Sequence, residues 1–115
     1  MLTIYGIPNC DSCRKARKWL DANSVEHRFH DFRVDGLAEA TLARWAGIAG
    51  WQSLLNTRST TWREIPKAER HPMSEKRALE LMLQRPTLIK RPILELKIKL
   101  LVGFSDQAYA GADLS

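Results

Sequence analysis

Leu2-Thr3-Ile4-Tyr5-Gly6-Ile7-Pro8-Asn9-Cys10-Asp11-Ser12-Cys13 is the stretch that decides the fold of this chain. Leu2 to Tyr5 is a short β-branched, aromatic and apolar run that Gly6 and Pro8 close, so it reads as a strand. From Asp11 the pattern turns helical as far as residue 22. Cys13, Ala16 and Leu20 then fall at the i, i+3, i+7 spacing of an inward face. The chain has two cysteines, and both stand where the strand meets the helix. A C-x-x-C in that place reads as a redox dithiol. Cys10 sits at the helix N-terminus, where unpaired N–H groups and the positive dipole end favour the nucleophilic thiolate. Cys13 lies one turn on. It is either a resolving thiol that attacks a mixed disulfide on Cys10 or a small buried core residue.

Outward from this stretch, Asn23-Ser24 ends the helix and residues 25–32 read as a second strand. Strand, helix, strand in so short a span implies a βαβ unit with parallel pairing. The middle is helical. Asp35-Gly36 introduces a helix over 37–46 with Leu42 and Trp45 inward, Gly47 and Gly50 break the chain, and a short helix spans roughly 50–55. Asn56-Thr57-Arg58-Ser59-Thr60 reads as a loop and Trp62 to Ile65 as a turn of helix. Ser74 caps a helix over 75–84 that Pro86 stops.

Leu94 to Leu100 alternates as one strand would, yet one strand leaves the sheet short of a partner. A hairpin bending within 96–99 supplies it, although no Gly, Asn or Pro marks the turn. A last short helix falls near 105–112. The order βαβ, helices, ββα predicts an α/β fold: a thioredoxin-like mixed four-stranded sheet with a helical insertion at about 37–85. It forms a single domain over 1–115. In that layout the segment before the third strand passes beside the cysteines. Pro92, preceded by Arg91, is the candidate there for a cis peptide bond.

Composition bounds the function. A chain of 115 residues suffices for one hydrophobic core. It has no apolar run of the roughly 18 residues that a membrane span needs, and it starts without the basic-then-apolar pattern of a signal peptide. A cytoplasmic location is expected, where such a cysteine pair is catalytic or sensing. The net charge of +5 is compatible with nucleic acid, but the cations are scattered and the aromatics are mostly tryptophans at helical positions. That is not a stacking series for single strands, so no direct nucleic-acid partner is expected and an anionic substrate explains the charge equally well. Zinc is the competing use of the cysteines, with His27 and His30 as further ligands. Those histidines fall on a strand, where positions i and i+3 point to opposite faces, so no metal is expected.

Three blocks carry a resemblance to a known family: Tyr5 to Cys10 with Cys13-Arg14-Lys15-Ala16; Leu55-Asn56-Thr57-Arg58; and Leu88-Ile89-Lys90-Arg91-Pro92-Ile93. From Leu2 to about Tyr109 the chain resembles the arsenate reductase (ArsC) family, and within it the Spx/YffB-like branch. The resemblance implies that Cys10 is the nucleophile and that Arg91, before the cis-proline, handles oxyanions near the thiolate. Another family arginine follows the Leu-Leu pair; here Asn56 stands at that place and Arg58 comes two residues later. A third has no counterpart in Leu101-Val102-Gly103-Phe104, and the thiolate-supporting histidine of true arsenate reductases is replaced by Gly6. These departures argue against efficient arsenate reduction, not against thiol chemistry.

The resemblance points to a cytosolic thiol oxidoreductase with no bound cofactor and glutathione as co-substrate. Cys10 attacks, Cys13 or glutathione resolves, and Arg91 with Arg58, Lys15 and Pro92 forms the anion-binding side. The alternative is an Spx-type redox switch that binds RNA polymerase through the C-terminal domain of its α chain. For it the chain offers Gly50, at the place where Spx-like proteins make that contact, and Gly50 is equally a helix-start residue.

Overall fold

In the computed structural model, which describes residues 1–114, strand β1 (Leu2–Gly6) pairs on both sides. It runs parallel to β2 (His27–Asp31), in register from Leu2 opposite His27 to Gly6 opposite Asp31. It runs antiparallel to β3 (Ile93–Glu95), and β3 turns back into β4 (Leu100–Val102). The sheet order is β2-β1-β3-β4, the mixed four-stranded arrangement expected from the sequence. Helix α1 (Asp11–Ala22) connects β1 to β2. Between β2 and β3 the chain forms α2 (Phe32–Asp35), α3 (Glu39–Ala49), α4 (Trp51–Leu54), α5 (Thr60–Glu64), α6 (Lys67–Arg70), α7 (Glu75–Gln84) and a 3-10 turn at Pro86–Leu88. Helix α8 (Asp106–Ala110) follows β4.

The chain divides into two compact units, residues 1–36 with 91–115, and residues 37–90. In the first, α1 turns Cys13, Ala16 and Leu20 inward, as their spacing requires. Ile4, Ala16, Leu20, Leu94, Leu101 and Tyr109 form one buried cluster. Each fully buried large apolar side chain contributes about 1.5–3 kcal/mol relative to exposure, so these contacts fix α1 and α8 against the sheet. In the second unit, Leu42, Trp45, Leu54, Ala78, Met82, Leu88 and Ile89 are completely buried. Ser59 caps α5 by accepting from the Trp62 N–H at 3.1 Å, and Ser74 caps α7 by accepting from the Arg77 N–H at 3.2 Å.

The alternating run from Leu94 is two strands joined by the hairpin expected within 96–99, which the Leu96 N–H closes by donating to the Lys99 carbonyl at 2.9 Å. Ile98, which a continuous strand would turn toward a face of the sheet, lies at the tip and is 90% exposed. Gly47 does not break its helix. It lies inside α3, which runs on to Ala49 and ends at Gly50 in the left-handed region, φ +83°. The short helices α2 and α6 carry too few residues to show a period. Asp31 starts α2 by accepting from the Arg33 N–H at 2.9 Å. The Arg91–Pro92 bond is cis, in keeping with the sequence, and so is His71–Pro72. No helix among the described residues is long and apolar enough to cross a membrane.

Candidate active site

Strand β1 ends at Gly6, and the chain turns through Pro8 and Asn9, with the Cys10 N–H donating to the Ile7 carbonyl at 3.4 Å. Cys10 then takes the N-cap position of α1 with an extended backbone, φ −101° and ψ 125°. Its carbonyl accepts the first helical bond, from the Arg14 N–H at 3.0 Å. The side chain closes no cap bond of the Ser or Asp kind. Its sulfur nonetheless faces the Cys13 N–H, one of the orphan donors of the first turn.

Burial pushes the Cys10 thiol up, but the opposing interactions prevail and hold it below its ordinary value. They are the hydrogen bond from the Cys13 N–H, a second from the Cys13 thiol, and both a hydrogen bond and the positive charge of Arg91. Cys10 is half-buried and so still reachable. Arg91 comes to it from the segment entering β3. Pro92, itself completely buried, accepts the Gly103 N–H at 2.8 Å, and Gly103 adopts φ +79° there. The structure thus brings Cys10, Cys13, Arg91 and Pro92 together in one unit.

Cys13 is the opposite of Cys10. It is 0% exposed and its thiol is pushed up to about 12, by burial first and then by the hydrogen bond and charge of Cys10, against lowering by the Ile7 N–H and Arg91. The space it fills belongs to position 6: a side chain built on Gly6 would collide with the Cys13 sulfur. By resemblance alone, Gly6 marks the loss of a supporting histidine. The geometry gives the glycine a role of its own, because any larger residue would evict the thiol that supports Cys10. The sequence shows a Gly at the end of the strand and a Cys one turn into the helix, but not the direction in which the thiol points. The other group not foreseen is Tyr109, whose buried hydroxyl has no hydrogen-bond partner among the described residues.

Lys15 Nζ lies 3.2 Å from Asp11 Oδ2 and Arg14 Nη2 lies 3.7 Å from Asp11 Oδ1, all at exposed positions. Two cations therefore offset the carboxylate beside Cys10, although exposed pairs of this kind add little stability. Arg58 belongs to the second unit. Its N–H donates to Asn56 Oδ1 at 3.0 Å, and the Asn56 N–H donates to the Leu88 carbonyl at 2.7 Å. With the Leu55–Ile89 bridge and the Lys90 N–H bonded to the Leu54 carbonyl at 2.8 Å, this pairs two of the blocks read from the sequence. His27 donates from Nδ1 to the Val25 carbonyl at 2.9 Å and His30 from Nε2 to the Gly36 carbonyl at 2.6 Å. Each is held by its own neighbourhood, and no group of three or more metal-ligating side chains occurs among the described residues.

An uncharacterized protein of Haemophilus influenzae is 44% identical over 112 residues, covering 97% of this chain and 98% of that one. The regulatory protein MgsR of Bacillus subtilis is 34% identical, covering 90% of this chain and 83% of that one. A solved structure of a YffB protein superposes with a TM-score of 0.94 at 44% identity, covering all of both chains. The ArsC family pattern matches residues 5–112, and the chain belongs to the ArsC family.

Proposed function

We propose that this protein is a thiol–disulfide oxidoreductase that uses glutathione, with Cys10 as its nucleophile. The observation that carries the reading is the setting of Cys10: a half-exposed sulfur at a helix start, held below its ordinary pKa by the Cys13 N–H, the Cys13 thiol and Arg91. On a glutathione mixed disulfide, the Cys10 thiolate attacks the glutathione sulfur. The substrate leaves as a thiolate that takes up a proton, and Cys10 is left bonded to glutathione. A second glutathione thiolate then attacks that glutathione sulfur, forms glutathione disulfide and restores the Cys10 thiolate. Arg91 binds a carboxylate of the substrate as well as stabilising the thiolate, since its planar fork suits an oxyanion. Lys15 extends the anion-binding side, and Pro92 supplies the backbone edge against which the substrate lies. A reducing cytosol provides the glutathione.

The test is glutathione-dependent turnover of a small mixed disulfide by wild type, Cys10→Ser and Cys13→Ser. Loss in Cys10→Ser with retention in Cys13→Ser is the expected result. Absence of turnover in the wild type would remove the enzyme reading.

A second reading has one specific support, the likeness to a protein named as a regulator. In it, oxidation of Cys10 and Cys13 changes affinity for a macromolecular partner, with the α chain of RNA polymerase as the partner to try. A switch acts only through a difference in affinity between its two states. Redox-dependent capture of that polymerase chain, without turnover of any thiol substrate, would favour this reading over the first.

A further inference from the structure

A cleft of about 640 Å³ runs between α1 and the turn that leads from β4 into α8, within the first unit. Ser12, Lys15, Lys18 and Trp19 line it from α1, and Phe104 and Asp106 line it from the other side. It opens beside the nucleophile. Ser12 lies between the two cysteines, and Phe104 follows Gly103, whose N–H donates to the Pro92 carbonyl at 2.8 Å. From Cys10 to Trp19 a helix rises about 13 Å, so the cleft leads away from the site by more than two turns. Its aromatic walls are fixed. Trp19 and Phe104 each meet the buried Tyr109 ring edge-on, at 5.5 Å and 4.8 Å, and both remain partly exposed. Aromatic side chains held in this way lose little freedom when they bind. The lining charge is positive, two lysines against Asp106. Lys15 lies 3.2 Å from Asp11, whereas Lys18 is exposed and has no ion-pair partner among the described residues.

We propose that this cleft docks an acidic and apolar segment of a protein substrate whose cysteine is glutathionylated, and so selects among protein substrates by charge. The proposal deepens the thiol-exchange reading above and rests on it. Glutathione alone does not account for the cleft. A tripeptide spans about 11 Å when fully extended. It is held at Cys10 by its middle residue, so neither arm covers the roughly 13 Å to Trp19. A protein segment covers that distance with about four residues beyond its modified cysteine. An apolar side chain of the segment meets Trp19 and Phe104, and a Glu or Asp beside it meets Lys18. A nucleic acid fits less well, because its binding grows with the number of cations, and here a carboxylate stands among two lysines. Docking leaves the chemistry as it was. The Cys10 thiolate attacks the glutathione sulfur, the protein–glutathione S–S bond breaks, and its electron pair goes to the protein sulfur, which takes up a proton. A free glutathione thiolate, the reductant, then attacks the glutathione sulfur on Cys10. Glutathione disulfide leaves and Cys10 is again a thiolate.

The experiment uses the full chain and two glutathionylated peptides of about nine residues, long enough to reach Trp19 on either side of a central cysteine. One carries phenylalanine and glutamate three and four residues from the cysteine on each side. In the other, lysine replaces glutamate. The value of kcat/KM with glutathione is measured for both, and for the mixed disulfide of glutathione with mercaptoethanol. At low salt the wild type should favour the glutamate peptide about threefold to fivefold, the range open to exposed charge pairs, and the preference should shrink as salt rises. Lys18→Glu should remove or reverse the preference, each rate being divided by the variant's rate on the small disulfide. Lys18 is exposed, so the variant keeps its fold. A second measurement needs no turnover: the glutamate peptide with serine in place of its cysteine should shift the Trp19 and Phe104 side-chain NMR signals. Unmoved signals, or a preference unchanged in Lys18→Glu, would overturn the proposal. Displacement of the peptide by an equal concentration of oligothymidine would give the cleft to nucleic acid and overturn it too. Turnover of the small disulfide with neither preference nor shifts removes the cleft and leaves the oxidoreductase reading standing. Shifts without turnover of any disulfide remove that reading and, with it, the role of the cleft in the reaction.

Discussion

Gly6→Ala tests whether the glycine exists to house the Cys13 sulfur. A Cβ at position 6 would strike Cys13 Sγ, whereas it would lie 3.6 Å from Cys13 Cβ and 3.8 Å from Phe29 Cε1, both ordinary contacts. The collision is therefore with one atom. Cys13 is completely buried, so its sulfur has nowhere open to go and must rotate away from its present seat. Overpacking of this kind costs about 1–3 kcal/mol. Gly6 does not use a positive φ, so alanine adds no backbone strain; it stabilises by about 0.4–1 kcal/mol through the unfolded chain. The net expectation is a loss of about 1–2 kcal/mol.

The sign should reverse when the sulfur is gone. In a Cys13→Ala background the nearest side-chain atom to the new methyl is the remaining Cβ, and Gly6→Ala should then stabilise by a few tenths of a kcal/mol. Guanidinium unfolding of the four proteins, under reductant and at one pH, gives the coupling between positions 6 and 13. It should be at least about 1 kcal/mol, well beyond the roughly 0.3–0.5 kcal/mol scatter of independent sites. The displaced thiol also loses its hydrogen bond to Cys10, so Cys10 in Gly6→Ala should alkylate with a higher pKa than in the wild type. Additive stabilities, or an unmoved Cys10 titration, would refute the steric account of this glycine.

Three further outcomes follow from the same contacts. Arg91→Ala should raise the Cys10 pKa, because it removes a hydrogen bond and a positive charge from the thiolate, and iodoacetamide alkylation against pH measures it; Arg14→Ala, whose guanidinium is turned to Asp11, should have a smaller effect. Cys13 rises from 9.0 to about 12 on folding, so between those values the native state holds the extra proton and stability falls as pH rises, by up to about 1.4 kcal/mol per pH unit for the one group. Tyr109 adds to the decline in the alkaline range, and denaturation at stepped pH should show a shallower fall in Cys13→Ala. Ile98→Asp should change stability by no more than about 0.5 kcal/mol, because Ile98 is 90% exposed at a hairpin tip; a loss near that of a core residue would restore the single strand.

Helices α1 and α7 were legible because each is long enough to show its period. Helix α1 has twelve residues with its buried positions at Cys13, Ala16 and Leu20, and Ser74 with Pro86 bracketed the run that holds α7. What stayed hidden was short or non-local. The hairpin over Leu96-Lys97-Ile98-Lys99 lacks turn chemistry and alternates like one strand, so it follows only from the sheet's need of a partner strand. Helices α2 and α6 stay hidden because they are single short turns. At the site, Cys10 and Arg91 could be proposed from motif and order alone. The contact of Gly6 with Cys13 could not, because it depends on which way a thiol points from a helix onto a neighbouring strand.

That contact also bears on how the two cysteines divide their work. A resolving cysteine must be a thiolate to attack, and Cys13 is held a thiol by burial and by the charge on Cys10. Its S–H meanwhile stabilises the Cys10 thiolate, so of the two thiols Cys10 gives up its proton the more readily. Once Cys10 is capped in a mixed disulfide its charge disappears. Two of the influences raising Cys13 go with it, while the Ile7 N–H and Arg91 continue to lower it. Burial remains, and burial is the largest influence. The order of reactivity is therefore built in: Cys10 acts first, Cys13 becomes easier to ionise only after Cys10 has reacted, and glutathione, which meets no burial, competes with it at the capped sulfur. A chain arranged in this way should behave as a one-cysteine enzyme at high glutathione and form its internal disulfide at low glutathione. Trapping the oxidised species across a glutathione series, and watching the Cys10–Cys13 form give way to the glutathione-capped form, checks that division directly. A fixed ratio of the two forms at every glutathione level would mean that burial does not govern the choice.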